Sequence, residues 1–246
     1  MIFKALTARA PLHTGDELPG GPPPGAVRYR DVLLVVLALT TGALDAVTFV
    51  RLGKVFSSVI TGNLALLGVA AGRTDAALAL NAGLALAGYA GGVLLGALIA
   101  GTPERGQPVW PVQVSYALAT ETGLLAAFSG EWLAAGGHPG GASRVALLVL
   151  AAAAMGLQSV AVRRLGQIST TYLTSTLTAL LTGLALRRKP EGWARSAGIL
   201  VTAVAGAALG TLAALNAPDW VPAAVLIPIA VVLTGSLWRR PRPRAW

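Results

Sequence analysis

The chain of 246 residues contains no cysteine and only two histidines, His13 and His138. The absence of cysteine excludes a disulfide framework, a thiolate zinc site and a cysteine nucleophile. Both histidines lie outside the apolar segments, so a histidine-based metal site or catalytic triad is not expected. We therefore predict a protein that is not an enzyme and that holds no metal and no cofactor.

Charged residues are also scarce. They make up 12% of the chain, whereas a soluble domain carries about 25%. Hydrophobic residues account for 54%. So little charge cannot cover a surface that faces water, which argues against a soluble enzyme. The composition indicates an integral membrane protein whose first partners are membrane lipids.

The net charge of +9 does not indicate a nucleic-acid partner, because the basic residues cluster at the ends of apolar runs. Four precede the first run, four lie between positions 187 and 195, and four lie in the last eight residues. The positive-inside rule produces this distribution. We expect no nucleic acid to bind and both termini to be cytoplasmic.

Apolar stretches alternate with short polar joints from residue 31 onward, and we predict an all-α polytopic membrane helix bundle with six to eight spans. A spanning helix needs about 20 residues, and the short second segment could instead be re-entrant. We expect residues 1–30 to be a disordered cytoplasmic tail and residues 239–246 to be a basic cytoplasmic tail. The eight segments run over about 32–50, 57–72, 77–100, 111–135, 144–162, 168–186, 194–215 and 221–238.

The segments form two related halves, 31–136 and 144–238. A shift of 113 residues carries Thr61 onto Thr174, and a shift of 114 carries Gly42 onto Gly156. Internal repeats are typical of secondary transporters, whose site lies between the repeats near the bilayer midplane. With eight spans the halves are parallel and 14 of the 19 basic residues lie inside. With re-entrant second and sixth segments the halves are inverted and 15 lie inside.

Polar residues recur at the same place in both halves, and we predict that they line one cavity for a small neutral or zwitterionic solute. Asp45 lies inside an apolar segment, where a carboxylate is costly unless it is paired or hydrated. The alternatives are an ion pair of Asp45 with Arg51 or Lys54, and hydroxyls that serve helix packing. The predicted cavity residues are Asp45, Thr61, Asn63, Gln158, Thr171, Thr174 and Thr178.

Glu121 stands alone in the middle of the fourth segment. A carboxyl group without a partner in a span favours its protonated form, which makes Glu121 a candidate for proton coupling. The alternative is a hydrogen bond that joins helices.

Glycines recur at every fourth position on two of the segments, and such a spacing allows close packing of helix backbones. These packing glycines are Gly88, Gly92, Gly96, Gly206 and Gly210.

The combined motifs resemble the YoaK-type multipass membrane proteins of bacteria, an uncharacterised family. The resemblance covers about residues 31–238 and rests on Gly42-x-x-Asp45-Ala46, Thr61-Gly62-Asn63, Gly156-x-Gln158 and a threonine-rich run at 171–178. Ser159 and Ser175 depart from the pattern. The resemblance implies the fold class and a location in the bacterial inner membrane, but no substrate.

Two functions remain open. The first is a small-solute secondary transporter or permease of unknown substrate, indicated by the two halves and their paired polar motifs. The alternative is a non-transporting membrane scaffold or sensor that forms a homodimer through its glycine-rich helix faces. Water access separates them, because a carrier must hydrate its polar residues from one side.

Overall fold

A computed structural model of the chain describes residues 23–102, 106–165, 173–188 and 192–238. These ranges contain eight α-helices and no strand, which confirms the predicted all-α class. A short 3₁₀ turn, Pro218–Trp220, precedes the last helix. The helices are α1 Pro24–Arg51, α2 Ile60–Arg73, α3 Ala76–Ala100, α4 Val112–Ala134, α5 Gly141–Arg164, α6 Leu173–Ala185, α7 Trp193–Asn216 and α8 Val221–Trp238.

The first helix begins earlier than expected. The predicted tail extended to residue 30, but α1 starts at Pro24. Proline is tolerated at the first helical position because its missing N–H would have no partner there anyway. The early turns of α1 are also anchored, since the Tyr29 hydroxyl donates a 2.8 Å hydrogen bond to the Gly235 carbonyl on α8.

Helix length separates two groups. α1, α3, α5, α7 and α8 with its preceding turn are long and apolar enough to cross a membrane. The 23 residues of α4 would also extend about 34 Å, although Glu121 interrupts its apolar run. α2 and α6 have 14 and 13 residues. At about 20 Å they are too short for a hydrocarbon core of about 30 Å.

Two pairs of helices run parallel with their backbones in close contact. On α1 and α7, Val35 accepts a hydrogen bond from Thr202, and a Cβ on Gly210 would overlap the Ala43 carbonyl. The residue numbers rise together, so α1 and α7 are parallel. α3 and α5 are parallel for the same reason. A Cβ added to Gly88 would come too close to Val149, and a Cβ added to Gly92 would overlap Ala153.

The remaining long helices run antiparallel to their neighbours. Tyr29 contacts Gly235 and Thr40 contacts Val225, so α1 and α8 are antiparallel. Contacts of Trp132 with Pro218 and of Ser115 with Ser236 show the same for α4 and α8. The short connection 135–140 then returns the chain along α4 as α5. It follows that α1, α4 and α7 point one way, and α3, α5 and α8 point the other way.

These helix directions show whether the segment between α1 and α3 crosses the bundle. We call the side where α1 begins and α8 ends the terminal side. α1 ends and α3 begins on the opposite side, so residues 52–75 start and finish on the same side and form a re-entrant segment. Its hairpin is closed by Thr74, which has a left-handed backbone, and by Asp75, whose side chain accepts from the Leu78 amide at 3.0 Å.

A similar connection follows later in the chain, between α5 and α7. α5 ends and α7 begins on the terminal side, so the segment between them, with α6, also starts and finishes on one side. α2 packs against α3, and α6 packs against α7. The six long helices therefore cross the bundle. Each short helix lies in a connection between two helix ends on the same side, α2 on the side opposite the termini and α6 on the terminal side.

Candidate functional site

The tip of the first re-entrant segment is fastened to α1 by Asp45. One carboxylate oxygen accepts hydrogen bonds from the Ser57 hydroxyl at 2.8 Å and the Ser58 amide at 2.7 Å. The other accepts from the Ser58 hydroxyl at 2.5 Å. Asp45 lies six residues before the end of α1, so the chain descends about 9 Å into the bundle before α2 begins.

The ion pair considered for Asp45 is not formed. The Arg51 guanidinium instead donates from Nε and Nη2 to the Ala214 carbonyl at the end of α7, at 3.0 and 2.6 Å. Lys54 is exposed. Within the described ranges no basic side chain forms a salt bridge with Asp45. Both of its side-chain oxygens instead accept hydrogen bonds from the serines at the tip.

Asn63 holds the descending limb of the same segment. Its side-chain oxygen accepts from the Phe56 amide at 2.9 Å, and its side-chain nitrogen donates to the Phe56 carbonyl at 2.6 Å. The residue is fully buried. Irregular backbone at membrane depth needs partners inside the protein, and Asn63 supplies both of them for Phe56. Thr61, on the outer face of the first turn of α2, is exposed.

Gln158 lies apart from this tip, in the core between α5 and α1. Its side-chain oxygen accepts a 3.0 Å hydrogen bond from the Thr41 hydroxyl. Its side-chain nitrogen has no hydrogen-bond partner among the described residues. Nearby on α5, the Ser159 hydroxyl accepts from the Tyr89 hydroxyl at 2.8 Å. Thr41 is not among the predicted cavity residues, although two adjacent threonines inside an apolar run could have indicated it.

The predicted threonines of the second half lie on α6 or beyond the described part of the chain. Thr174 and Thr178 are both exposed, and the Thr178 hydroxyl donates to the Thr174 carbonyl at 2.9 Å. Thr171 falls outside the described residues. The polar residues thus form three groups: the tip with Asp45 and α2, the Gln158 contact, and the α6 face. The described hydrogen bonds do not join these groups.

The glycines predicted to pack helices sit where backbones meet. A Cβ atom on any of the three α3 glycines would crowd α5. A Cβ atom on either α7 glycine would overlap a carbonyl of α1, that of Leu39 or that of Ala43. An apolar groove of about 590 Å³ lies between α7 and α8, over α1, and none of the predicted polar residues line it.

Six long helices, five of them apolar enough to cross a membrane, are the architecture of a multipass α-helical membrane protein. The chain belongs to the family described as "Protein of unknown function (DUF1275)", whose model matches residues 33–237. The UPF0700 transmembrane protein YoaK of Bacillus subtilis (strain 168) is 31% identical over 214 residues, which cover 84% of this chain and 92% of that relative. No solved structure matches the chain. The resemblance drawn from the sequence motifs is confirmed.

Proposed function

We propose that this chain is a small-solute secondary transporter of the bacterial inner membrane. The observation that carries the proposal is that α2 and α6, both too short to cross a membrane, lie in two connections that each return to the side they left, one on each side of the bundle. Carriers built from inverted halves place short or broken helices at their binding site, because the ends of such helices offer backbone groups to a solute. The proposal includes no catalytic reaction.

Contacts that repeat between the halves support an inverted internal repeat. A Cβ on Gly42 would overlap the Ala203 carbonyl, and a Cβ on Gly156 would overlap the Tyr89 carbonyl. One shift of 114 residues carries Gly42 onto Gly156 and Tyr89 onto Ala203. Two helix contacts related by a single shift are expected if the halves share one packing plan.

The distribution of basic residues supports cytoplasmic termini. If the connections that carry α2 and α6 do not cross the membrane, the order of segments along the sequence assigns 15 of the 19 basic residues to the terminal side and four to the opposite side. The cytoplasmic side carries the excess of Lys and Arg in short loops. The four on the opposite side are Arg51, Lys54, Arg73 and Arg144.

The packing disfavours the scaffold alternative. That alternative needs glycine-rich faces that are free to meet a second copy of the chain. Gly88, Gly92 and Gly96 already pack against α5, and Gly206 and Gly210 pack against α1. These faces are used inside one chain, so a homodimer would need another surface.

Sided thiol labelling tests water access at the two segments. The chain has no cysteine, so Thr61→Cys and Thr174→Cys each create a single thiol. We expect a membrane-impermeant maleimide to label position 61 from outside intact cells. Position 174 should become labelled only when the reagent reaches the cytoplasmic side, because its segment enters from there.

The control positions lie near the middle of crossing helices. Val204 on α7 and Val231 on α8 are exposed in the protein alone, so their cysteine variants face lipid in a membrane. They should react much more slowly than positions 61 and 174. Equal reactivity of the threonine and valine positions, or labelling of both threonine positions from one side, would contradict the carrier proposal.

A further inference from the structure

Glu121 is a carboxyl group sealed inside the bundle. Its side chain has no exposed surface, and neither carboxyl oxygen has a hydrogen-bond partner in the described part of the chain. It belongs to the buried stripe of α4, with Leu118 and Leu125 about one turn before and after it, both also buried. The expected hydrogen bond that would join helices is therefore absent among these residues.

The helices packed against α4 offer Glu121 no opposite charge. α3, α5 and α8 are its neighbours. The buried face of α8 consists of Val221, Val225, Ile229, Val232 and Ser236, and that serine bonds to Ser115 instead. The titratable or charged side chains on the three helices are Tyr89 on α3 and Arg144, Arg163 and Arg164 on α5. Tyr89 donates to Ser159, and the arginines lie in the end turns of α5.

Burial without a partner has two physical consequences. An ionised carboxylate is strongly disfavoured in such surroundings, so the group carries a proton in this conformation. A neutral carboxyl group without hydrogen bonds still costs free energy that a leucine of similar size would not cost. Glu121 therefore does not stabilise the fold seen here, and a state in which its carboxyl group meets water would recover that cost.

We propose, on the basis of the transporter function above, that Glu121 is the proton-binding group that couples this carrier to a proton gradient. In the conformation described, the carboxyl group holds a proton in the apolar core between α4, α5 and α8. In a second conformation α4 exposes the group to water, and the O–H bond breaks to give a carboxylate and a hydrated proton. The reverse step reloads it.

Carbodiimide labelling tests the proposal on the full-length protein in lipid nanodiscs. Dicyclohexylcarbodiimide partitions into apolar regions and adds to protonated carboxyl groups, and mass spectrometry locates the adduct. We expect label on Glu121, with a yield that falls as the pH rises because the carboxylate does not react. Glu121→Gln should lose this adduct. No adduct at any pH, or a yield that does not change with pH, would overturn the proposal.

Thermal unfolding of Glu121→Leu separates a proton site from a structural hydrogen bond. We expect a midpoint equal to or above that of the native protein, since leucine removes the unpaired oxygens and keeps the volume. Leu125→Ala, one turn away, should lower the midpoint and serves as the control for lost packing. A midpoint of Glu121→Leu as low as that of Leu125→Ala would show that the carboxyl group is a stabilising contact and would overturn the proposal.

The two proposals fail separately. Sided labelling at positions 61 and 174 reports on water access and does not depend on Glu121. If those positions react as expected and Glu121 takes up no carbodiimide, the carrier proposal stands and coupling through Glu121 is wrong. If the positions do not react, the transporter function itself is lost.

Discussion

At the scale of single residues, polar side chains in this bundle mainly serve the backbone. Asp45 binds the Ser58 amide, and Asn63 binds both backbone groups of Phe56. Arg51 donates to a carbonyl at the end of α7, where a helix leaves its last carbonyls without intrahelical partners. The irregular segment 52–59 can therefore lie inside the bundle because neighbouring side chains replace the water that its backbone would otherwise need.

Glycines provide a residue-scale prediction of stability. In Gly92→Ala the new Cβ would collide with the Ala153 backbone on α5. We expect a loss of about 1–3 kcal/mol, the usual cost of overpacking a close contact. The thermal unfolding midpoint of the detergent-purified protein measures it.

The adjacent residue is the matched control. A Cβ on Gly91 meets no atom within 4 Å, so Gly91→Ala adds a methyl group on the outer face of the same helix. Alanine has the better helix propensity by about 1 kcal/mol, and the midpoint should stay unchanged or rise. If both variants lose the same stability, the close contact between α3 and α5 is not what requires glycine.

At the scale of elements, the two short helices set the topology. α2 is too short to cross a bilayer and follows a limb that descends from the end of α1 to the level of Asp45. The chain thus returns to the side it left. An eight-span arrangement would place the connection between α2 and α3 on the terminal side, whereas the helix directions place it on the opposite side.

Labelling at Thr74, in the connection between α2 and α3, distinguishes the re-entrant arrangement from the eight-span arrangement. The residue is exposed, and we expect Thr74→Cys to react with an impermeant maleimide from outside intact cells. Arg28→Cys, near the exposed start of α1, should react only after the membrane is permeabilised. Labelling of both positions only after permeabilisation would show that α2 crosses the membrane and that the re-entrant arrangement is wrong.

At the scale of the whole molecule, the two halves of the chain are interleaved, because α1 packs against α7 and α3 packs against α5. A hydrogen bond between Thr41 and Gln158 also joins α1 to α5. Each short helix packs on the long helix that follows it. The proposed transport cycle therefore requires movement at the contacts between α1 and α7 or between α3 and α5.

Transport itself is a property of the whole molecule and has its own prediction. Cells that overproduce the protein should differ from cells without it in the content of at least one small polar solute, measured by untargeted metabolite profiling. Asp45→Asn keeps the side-chain shape but replaces one of the two oxygens that accept hydrogen bonds from the serines with an NH2 group, and we expect that difference to be lost. Gly91→Ala, made in equal amount, should behave like the native protein. Identical profiles for native protein and Asp45→Asn would contradict a role of Asp45 in transport.

The helical fold class and the unusual polar residues inside apolar runs could be predicted from local sequence. Partition into a membrane depends on the length and composition of each apolar run, so the helical bundle followed from residues 31–238. The predicted start of α1 is too late because proline and glycine disfavour a helix interior, whereas proline is tolerated at the first helical position, where α1 has Pro24. Asp45 and Glu121 stood out because carboxyl groups are rare inside apolar runs, although their partners could not be known.

The sequence by itself determined the class of protein, the polar residues at membrane depth and the family motifs, because each of these depends on residues close together in the chain. Only the tertiary structure decided that α2 returns to the side it came from, that Asp45 binds serines rather than Arg51, and that Glu121 has no partner among the described residues. The physical reason is that helix direction and hydrogen-bond partners follow from packing between distant segments. α1 meets α7 and α8, whose residues lie more than 150 positions further along the chain, and local hydropathy carries no record of those contacts.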